Sequence, residues 1–283
     1  MQLGATFPQT EIGTDPIAIR DYVQAATALG YSYIVAGEHV VSPGYSHPKE
    51  VAAYRVMFHE PFALFGYLAA LTPLELIPSV IVLPQRQTAL VAKQAAEIDV
   101  LTGGKLRLGI GIGWNPLEFE ALGMNFRTRA RFFEEQIEVL RLLWREEYVT
   151  YKGAFHTLND VGLNPRPVQR PIPLWIGGHA DTDLRRIARL ADGWLPLGKP
   201  ADLRPLLERL HLYAQEAGRD PASIGIQATT SAREGQPEDW VRLTAAWRDL
   251  GATHIAFSTT GAGFKSVNEH IAAIRRYKEA IQP

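Results

Sequence analysis

A (β/α)8 barrel is the fold class this sequence predicts, and three observations predict it. Strand-like and helix-like segments alternate from one end of the chain to the other, giving eight strand-helix units. The length of 283 residues is close to the roughly 250 typical of such barrels. The main competitor, a doubly wound sheet, needs a glycine-rich G-x-G-x-x-G turn after its first strand. Here the first strand runs into "TFPQT", Thr6 to Thr10, which contains no glycine.

The elements follow in order. Gln2–Phe7 reads as the first strand. A helix begins at about Pro16, where Asp15 is placed to cap it and proline suits the first turn. Its apolar positions Ile19, Val23, Ala26 and Leu29 repeat at helical spacing up to Gly30. Tyr31–Ala36 is the second strand, a polar loop runs to about Phe58, and a helix spans Pro61 to about Leu71. Leu74–Leu83 is the third strand, interrupted at Pro78-Ser79 because a proline removes a ladder donor. Thr88–Leu101 is a helix ended by Gly103-Gly104, and Leu106–Ile112 is the fourth strand. Arg129–Trp144 is amphipathic, with Phe132, Phe133, Ile137, Leu140 and Leu143 on one side. Residues 148–170 break the rhythm. "YVTYKGAFHTL" alternates around Lys152-Gly153 as a hairpin does, and the proline-dense stretch behind it cannot be helix interior. This is an insertion ahead of the fifth strand, Leu174–Ile176. The sixth, seventh and eighth strands are Gly193–Leu195, Ile224–Ala228 and His254–Ser258. Helices over Thr182–Ala191, Leu203–Ala217, Glu238–Leu250 and Val267–Ala280 complete the alternation. No linker divides the chain, so residues 1–283 are expected to form a single domain.

Composition narrows the function. Net charge is −1, which leaves no electrostatic footprint for nucleic acid or for an anionic membrane. There is no cysteine, which removes thiolate catalysis and Cys-ligated metals. No apolar run approaches the roughly 20 residues of a membrane helix. The N-terminus lacks the basic and apolar segments of a signal peptide, so a cytoplasmic location is the default.

In a barrel the residues just after each strand share one face, and that face carries the site. Those ends hold no pair of carboxylates arranged for glycoside hydrolysis, no G-x-S-x-G elbow and no HxH or HExxH metal spacing, so no metal is expected. His39 follows the second strand with Glu38 beside it. A histidine there can exchange a proton near neutral pH or serve only as a structural strand-end residue. Gly177-Gly178 ends the fifth strand before a helix. It is either a tight turn or a cup of backbone N–H groups for a phosphate. Trp114 either stacks on a ring or plugs the barrel mouth. Arg86, Lys199 and Lys265 read individually as surface charges.

Together these motifs resemble the luciferase-like monooxygenase superfamily, and within it the oxidoreductases that depend on the deazaflavin coenzyme F420. The specific parts are "AGEHV" (Ala36 to Val40), "AKQAAEIDVLTGGKLRLGIGIGWNPLEFEALG" (Ala92 to Gly123) and "NPRPVQRPIPLWIGG" (Asn164 to Gly178), the last continuing into "LRRIARLADGWLP" (Leu184 to Pro196). The resemblance implies a barrel that binds F420, or alternatively FMN, at its C-terminal mouth. It implies that Gly177, Gly178 and His179 take the cofactor phosphate. Ser79 and Val80 match a bulge that carries a non-proline cis peptide and backs the ring. His39 matches the histidine near the reactive face, and Gly113 and Trp114 match the loop bordering it. Phe7, Leu195 and Pro196 complete the expected cofactor wall, with His39 and Glu38 as the expected proton-transfer residues.

One departure bears on the substrate. Sugar-phosphate dehydrogenases of the F420 branch carry an acidic proton donor where Trp114 stands, and the nearest carboxylates here are Glu118 and Glu120. The expectation is therefore an apolar substrate stacking on Trp114, Phe7 or Phe58. The resemblance further implies a homodimer and a small-molecule substrate. The alternatives are an FMN-dependent monooxygenase fed by a flavin reductase, a flavin-binding protein without turnover, and a barrel lyase or isomerase. The last would want a Schiff-base lysine or a carboxylate base at a strand end.

Overall fold

The computed structural model describes residues 1–46 and 55–281. Part of the polar loop expected before Phe58, residues 47–54, lies outside them. Nine strands form one parallel sheet. They are β1 (Gln2–Thr6), β2 (Tyr33–Ala36), β3 (Glu75–Pro78), β4 (Ile81–Val82) and β5 (Leu108–Gly111). An antiparallel hairpin, β6 (Val149–Lys152) with β7 (Thr157–Val161), stands apart as the predicted insertion. The barrel continues with β8 (Leu174–Gly177), β9 (Gly193–Leu195), β10 (Gly225–Ser231) and β11 (His254–Ser258).

The order is β3-β2-β1-β11-β10-β9-β8-β5-β4. β3 and β4 are successive pieces of one strand interrupted at Ser79-Val80, as the proline predicted. Together they close the ring, β3 on β2 and β4 on β5, and a parallel bridge from Leu76 to Leu106 seals the seam. The architecture is the (β/α)8 barrel.

The helices are α1 (Pro16–Ala28), α2 (Pro61–Ala69), α3 (Thr88–Leu101), α4 (Pro116–Ala121), α5 (Arg129–Arg145), α6 (Asp181–Leu190), α7 (Pro200–Glu216), α8 (Pro237–Asp249) and α9 (Val267–Ile281). Two differ from the sequence reading by more than two residues at an end. α4 was not expected, because six residues are too few to display a period. Its start is nonetheless written locally: Asn115 accepts from the Leu117 amide at 3.2 Å and Pro116 takes the first turn. α7 begins at Pro200 rather than Leu203. Proline fits the first turn there, and the helix tolerates Pro205 inside it.

The main core lies between the strands and the helix ring, with Ile34, Leu76, Leu108, Ile110 and Ile176 meeting Phe65, Val91, Phe133 and Leu140. A smaller cluster of Tyr33, Val35, Ile77 and Ala256 fills the barrel itself. At its N-terminal end the barrel is stoppered. The rings of Tyr33 and Trp175 lie over Gly4 and Gly193, where an added Cβ would come within 2.0 and 2.2 Å of them. Arg107 lies 4.3 Å from the Trp175 ring and pairs with Glu75 at 2.5 Å. The C-terminal end is left open.

Candidate active site

A cavity of about 560 Å³ occupies that open end. Its wall comes from the ends of seven strand segments, as the barrel rule predicts. Gly37, Glu38 and His39 follow β2; Ser79, Val80 and Val82 come from the broken strand. Gly111, Ile112, Gly113 and Trp114 end β5, Gly177, Gly178 and His179 end β8, and Leu195, Pro196 and Leu197 end β9. Gln227 and Thr229 of β10, with Phe58 and Asp183, complete it. Eleven of the twelve residues expected from the sequence therefore share one wall.

Phe7 is the exception. Its amide still bonds the Val35 carbonyl at 2.8 Å, so the ladder continues past Thr6. Its ring is buried edge-on to Tyr22 at 5.9 Å and beside His59 at 6.0 Å, off the cavity wall.

Among the described residues, His39 is held by Glu118 and Phe58. Its Nδ1 lies 2.9 Å from Oε1 of Glu118, and Phe58 packs edge-on at 4.9 Å. Glu118, on α4, is buried, and its other oxygen is 3.4 Å from the Gln85 amide nitrogen. A carboxylate facing one imidazole nitrogen fixes the tautomer and the ring orientation. Sequence reasoning named Glu118 as a nearby carboxylate without linking it to His39; Glu120, named with it, is exposed.

Glu38, expected to act with His39, is committed elsewhere. Its carboxylate pairs with Arg86 and accepts from the Val82 amide at 3.1 Å. Burial pushes the Glu38 carboxyl up from its ordinary value, and the Arg86 guanidinium pulls against that shift. The residue thus ties the end of β2 to the far side of the strand break. Arg86 also bonds Glu60 at 2.9 Å, which removes it from the free cations. Lys199 and Lys265 are exposed, and neither lines the cavity.

The Ser79–Val80 peptide is cis, as the resemblance implied. Val80 sits deep because its neighbours are glycines. A Cβ on Gly111 would come within 2.6 Å of Val80 Cγ2, and one on Gly177 within 3.4 Å of Cγ1. Gly113 has φ +80° and its carbonyl accepts from Arg129 Nε at 3.0 Å. Gly178, at φ +148°, is backed by Asp183, whose carboxylate caps the Ala180 amide at 3.2 Å and pairs with Arg186 at 2.9 Å. The His179 Nε2 lies 2.8 Å from the Leu197 amide, latching the β8 and β9 loops together. Trp194 Nε1 donates to the Gly178 carbonyl at 2.9 Å. Among the described residues no group of histidines and acids is placed to hold a metal ion. No helix among them is long and apolar enough to cross a membrane.

Residues 3–282 match the family model of the luciferase-like monooxygenases. The chain belongs to that family. This chain is an oxidoreductase of that family. An uncharacterised protein of Mycobacterium tuberculosis is 35% identical over 223 residues, spanning 75% of this chain and 77% of the relative. A phthiodiolone/phenolphthiodiolone dimycocerosates ketoreductase of Mycobacterium kansasii is 31% identical over 235 residues, 75% of this chain and 63% of its own length. Among solved structures the monooxygenase RslO1 from Streptomyces bottropensis superposes with a TM-score of 0.81 at 20% identity, over 100% of this chain and 99% of the other. An F420-dependent secondary alcohol dehydrogenase in complex with an F420-acetone adduct gives 0.81 at 15% identity, with the same coverage of both chains. At these identities the luciferase-like structures establish the fold alone.

Proposed function

We propose that this luciferase-like chain is an F420-dependent oxidoreductase that moves hydride between the deazaflavin and a small organic substrate. The observation that carries this reading is the shape of the wall. Gly111 and Gly177 withhold their side chains around Val80, and Gly37, Gly113 and Gly178 add none to the rest of the wall, leaving a largely apolar recess beside His39. A planar ring fits such a recess, with the Ser79-Val80 bulge behind it. The amides of the Gly177–His179 loop would hold the cofactor phosphate, and Leu195 and Pro196 would border the ring. Arg186 neutralises Asp183 behind that loop. The bound deazaflavin supplies hydride acceptance and donation.

The chain's own residues orient the reactants, exclude water and manage the proton. His39 exchanges it at Nε2, and Glu118 on Nδ1 holds the imidazole in the tautomer that allows this. The ketoreductase relative and the F420-dependent alcohol dehydrogenase neighbour support a carbonyl or hydroxyl group as the reacting centre. A homodimer is expected from the family, and sedimentation velocity checks it.

A second reading is an FMN-dependent monooxygenase supplied by a reductase. One observation favours it. The acidic tail of F420 asks for a basic groove, yet among the described residues no lysine or arginine lines the cavity and Arg86 is taken by two carboxylates. Titration of the purified protein with F420, FMN and reduced FMN separates the two. Micromolar binding of F420 alone supports the first reading. Binding of reduced FMN with oxygen-dependent turnover replaces it with the second.

A further inference from the structure

Gln227 is a polar side chain buried to 3% exposure on the cavity wall, and its Oε1 has no hydrogen-bond partner among the described residues. Buried amide oxygens are nearly always satisfied, so an orphan on a pocket wall marks a place for a ligand group. Alternation along β10 puts Gln227 and Thr229 on the same inner face of the barrel. The strand order places that face opposite the bulge. β10 is four strands from β3 in one direction and four from β4 in the other. A ring resting on Ser79-Val80 therefore turns its open face toward Gln227.

The charges on the wall restrict what else can bind. The acids that line it, Glu38 and Asp183, are each paired with an arginine behind them. Among the described residues no lysine or arginine lines it, so an anionic substrate would find no permanently cationic side chain on that wall. The rim is apolar: Trp114 is 48% exposed and Leu197 74%. Phe58 continues this surface inward to His39.

We infer that the substrate is an uncharged molecule with an apolar body and, away from its reacting carbon, a hydroxyl or N–H group that Gln227 reads. Trp114, Leu197 and Phe58 cover the apolar body. The glutamine amide offers an acceptor and a donor, which a hydroxyl can satisfy together. This inference rests on the cofactor reading above, which puts the ring against the bulge.

The test compares three probes that differ at one position: 4-hydroxycyclohexanone, 4-methoxycyclohexanone and 4-oxocyclohexanecarboxylate. Their affinities are measured by saturation-transfer NMR on the wild type and on Gln227→Met, with and without F420 or FMN. The wild type is expected to prefer the hydroxy probe at least tenfold over either of the others, and Gln227→Met is expected to erase the preference over the methoxy probe. Preference for the carboxylate overturns the inference, and so does binding of none of the probes at millimolar concentration. An unchanged hydroxy preference in Gln227→Met overturns the role of Gln227. If Gln227→Met instead weakens the cofactor and leaves the probe preference intact, Gln227 reads the ring and the inference fails. Failure of both cofactors to bind sinks the cofactor reading alone, because the probe comparison on the free protein still reports on Gln227.

Discussion

Replacing Arg86 with methionine isolates the ion pair that ties the β2 end to the broken strand. Arg86 touches two carboxylates of very different exposure. The Glu60 side chain is 41% exposed, and such a pair is worth about 0–1 kcal/mol. The Glu38 side chain is 2% exposed, and this contact decides the outcome. Removing one partner of a buried pair costs about 3–5 kcal/mol, since the remaining charge is left uncompensated. The Val82 amide still donates to Glu38 at 3.1 Å, which places the cost near the lower end. At roughly 2 °C per kcal/mol for a chain of this size, the melting temperature should fall by about 6 °C.

The loss should depend on pH. Burial already raises the Glu38 carboxyl, and without Arg86 only the Val82 amide is left to oppose that shift. A carboxyl whose folded value lies above its unfolded one favours the fold below the unfolded value and loses that contribution as pH rises through the folded value. The Arg86→Met deficit should therefore be small near pH 5 and full at pH 8, read from urea denaturation followed by circular dichroism. Adding Glu38→Gln should recover most of it, because a neutral amide oxygen still accepts from Val82. A deficit below about 1 kcal/mol, an equal deficit at both pH values, or no recovery in the double variant would refute the reasoning.

Three further outcomes are expected. Gly111→Ala sets a methyl 2.6 Å from Val80 Cγ2; overpacking of this kind costs about 1–3 kcal/mol, and cofactor affinity measured by titration should drop with it. His39→Asn should leave cofactor affinity near that of the wild type while turnover falls by about 10²–10⁴-fold, and equal turnover would remove His39 from the chemistry. His254, whose titration burial and then Arg107 depress to about 3, stabilises the fold above its unfolded value of about 6.5 and loses that contribution as pH falls. The melting temperature should thus drop more steeply between pH 7 and 5 in the wild type than in His254→Gln.

The sequence announced the barrel because each strand carries its own boundary, and the break at Pro78-Ser79 was visible as a proline inside an apolar run. The cavity wall was legible for a related reason: strand ends are consecutive residues, and the barrel gathers them without any long-range contact being known. What stayed hidden was pairing across the chain. Glu118 and His39 are 79 positions apart and Arg86 and Glu38 are 48, and neither pair leaves a local pattern. Gln227 was invisible for another reason. Within "GIQATTS" it looks like one polar residue of an alternating strand. Only closure of the ring turns that polar side inward. Phe7 misled because the last residue of the first strand was expected to face the mouth, whereas its ring turns toward Tyr22.

The aromatic stopper beneath the barrel has a kinetic consequence. With Tyr33 and Trp175 filling the N-terminal end, the cavity formed by the described residues opens at the C-terminal mouth. Two ligands that share such a cavity cannot exchange independently. The one that rests on the Val80 bulge must arrive first and leave last, and the one lodged under Trp114 and Leu197 bars its escape. Steady-state kinetics should then be ordered, with the outer ligand slowing release of the inner one in proportion to its own occupancy.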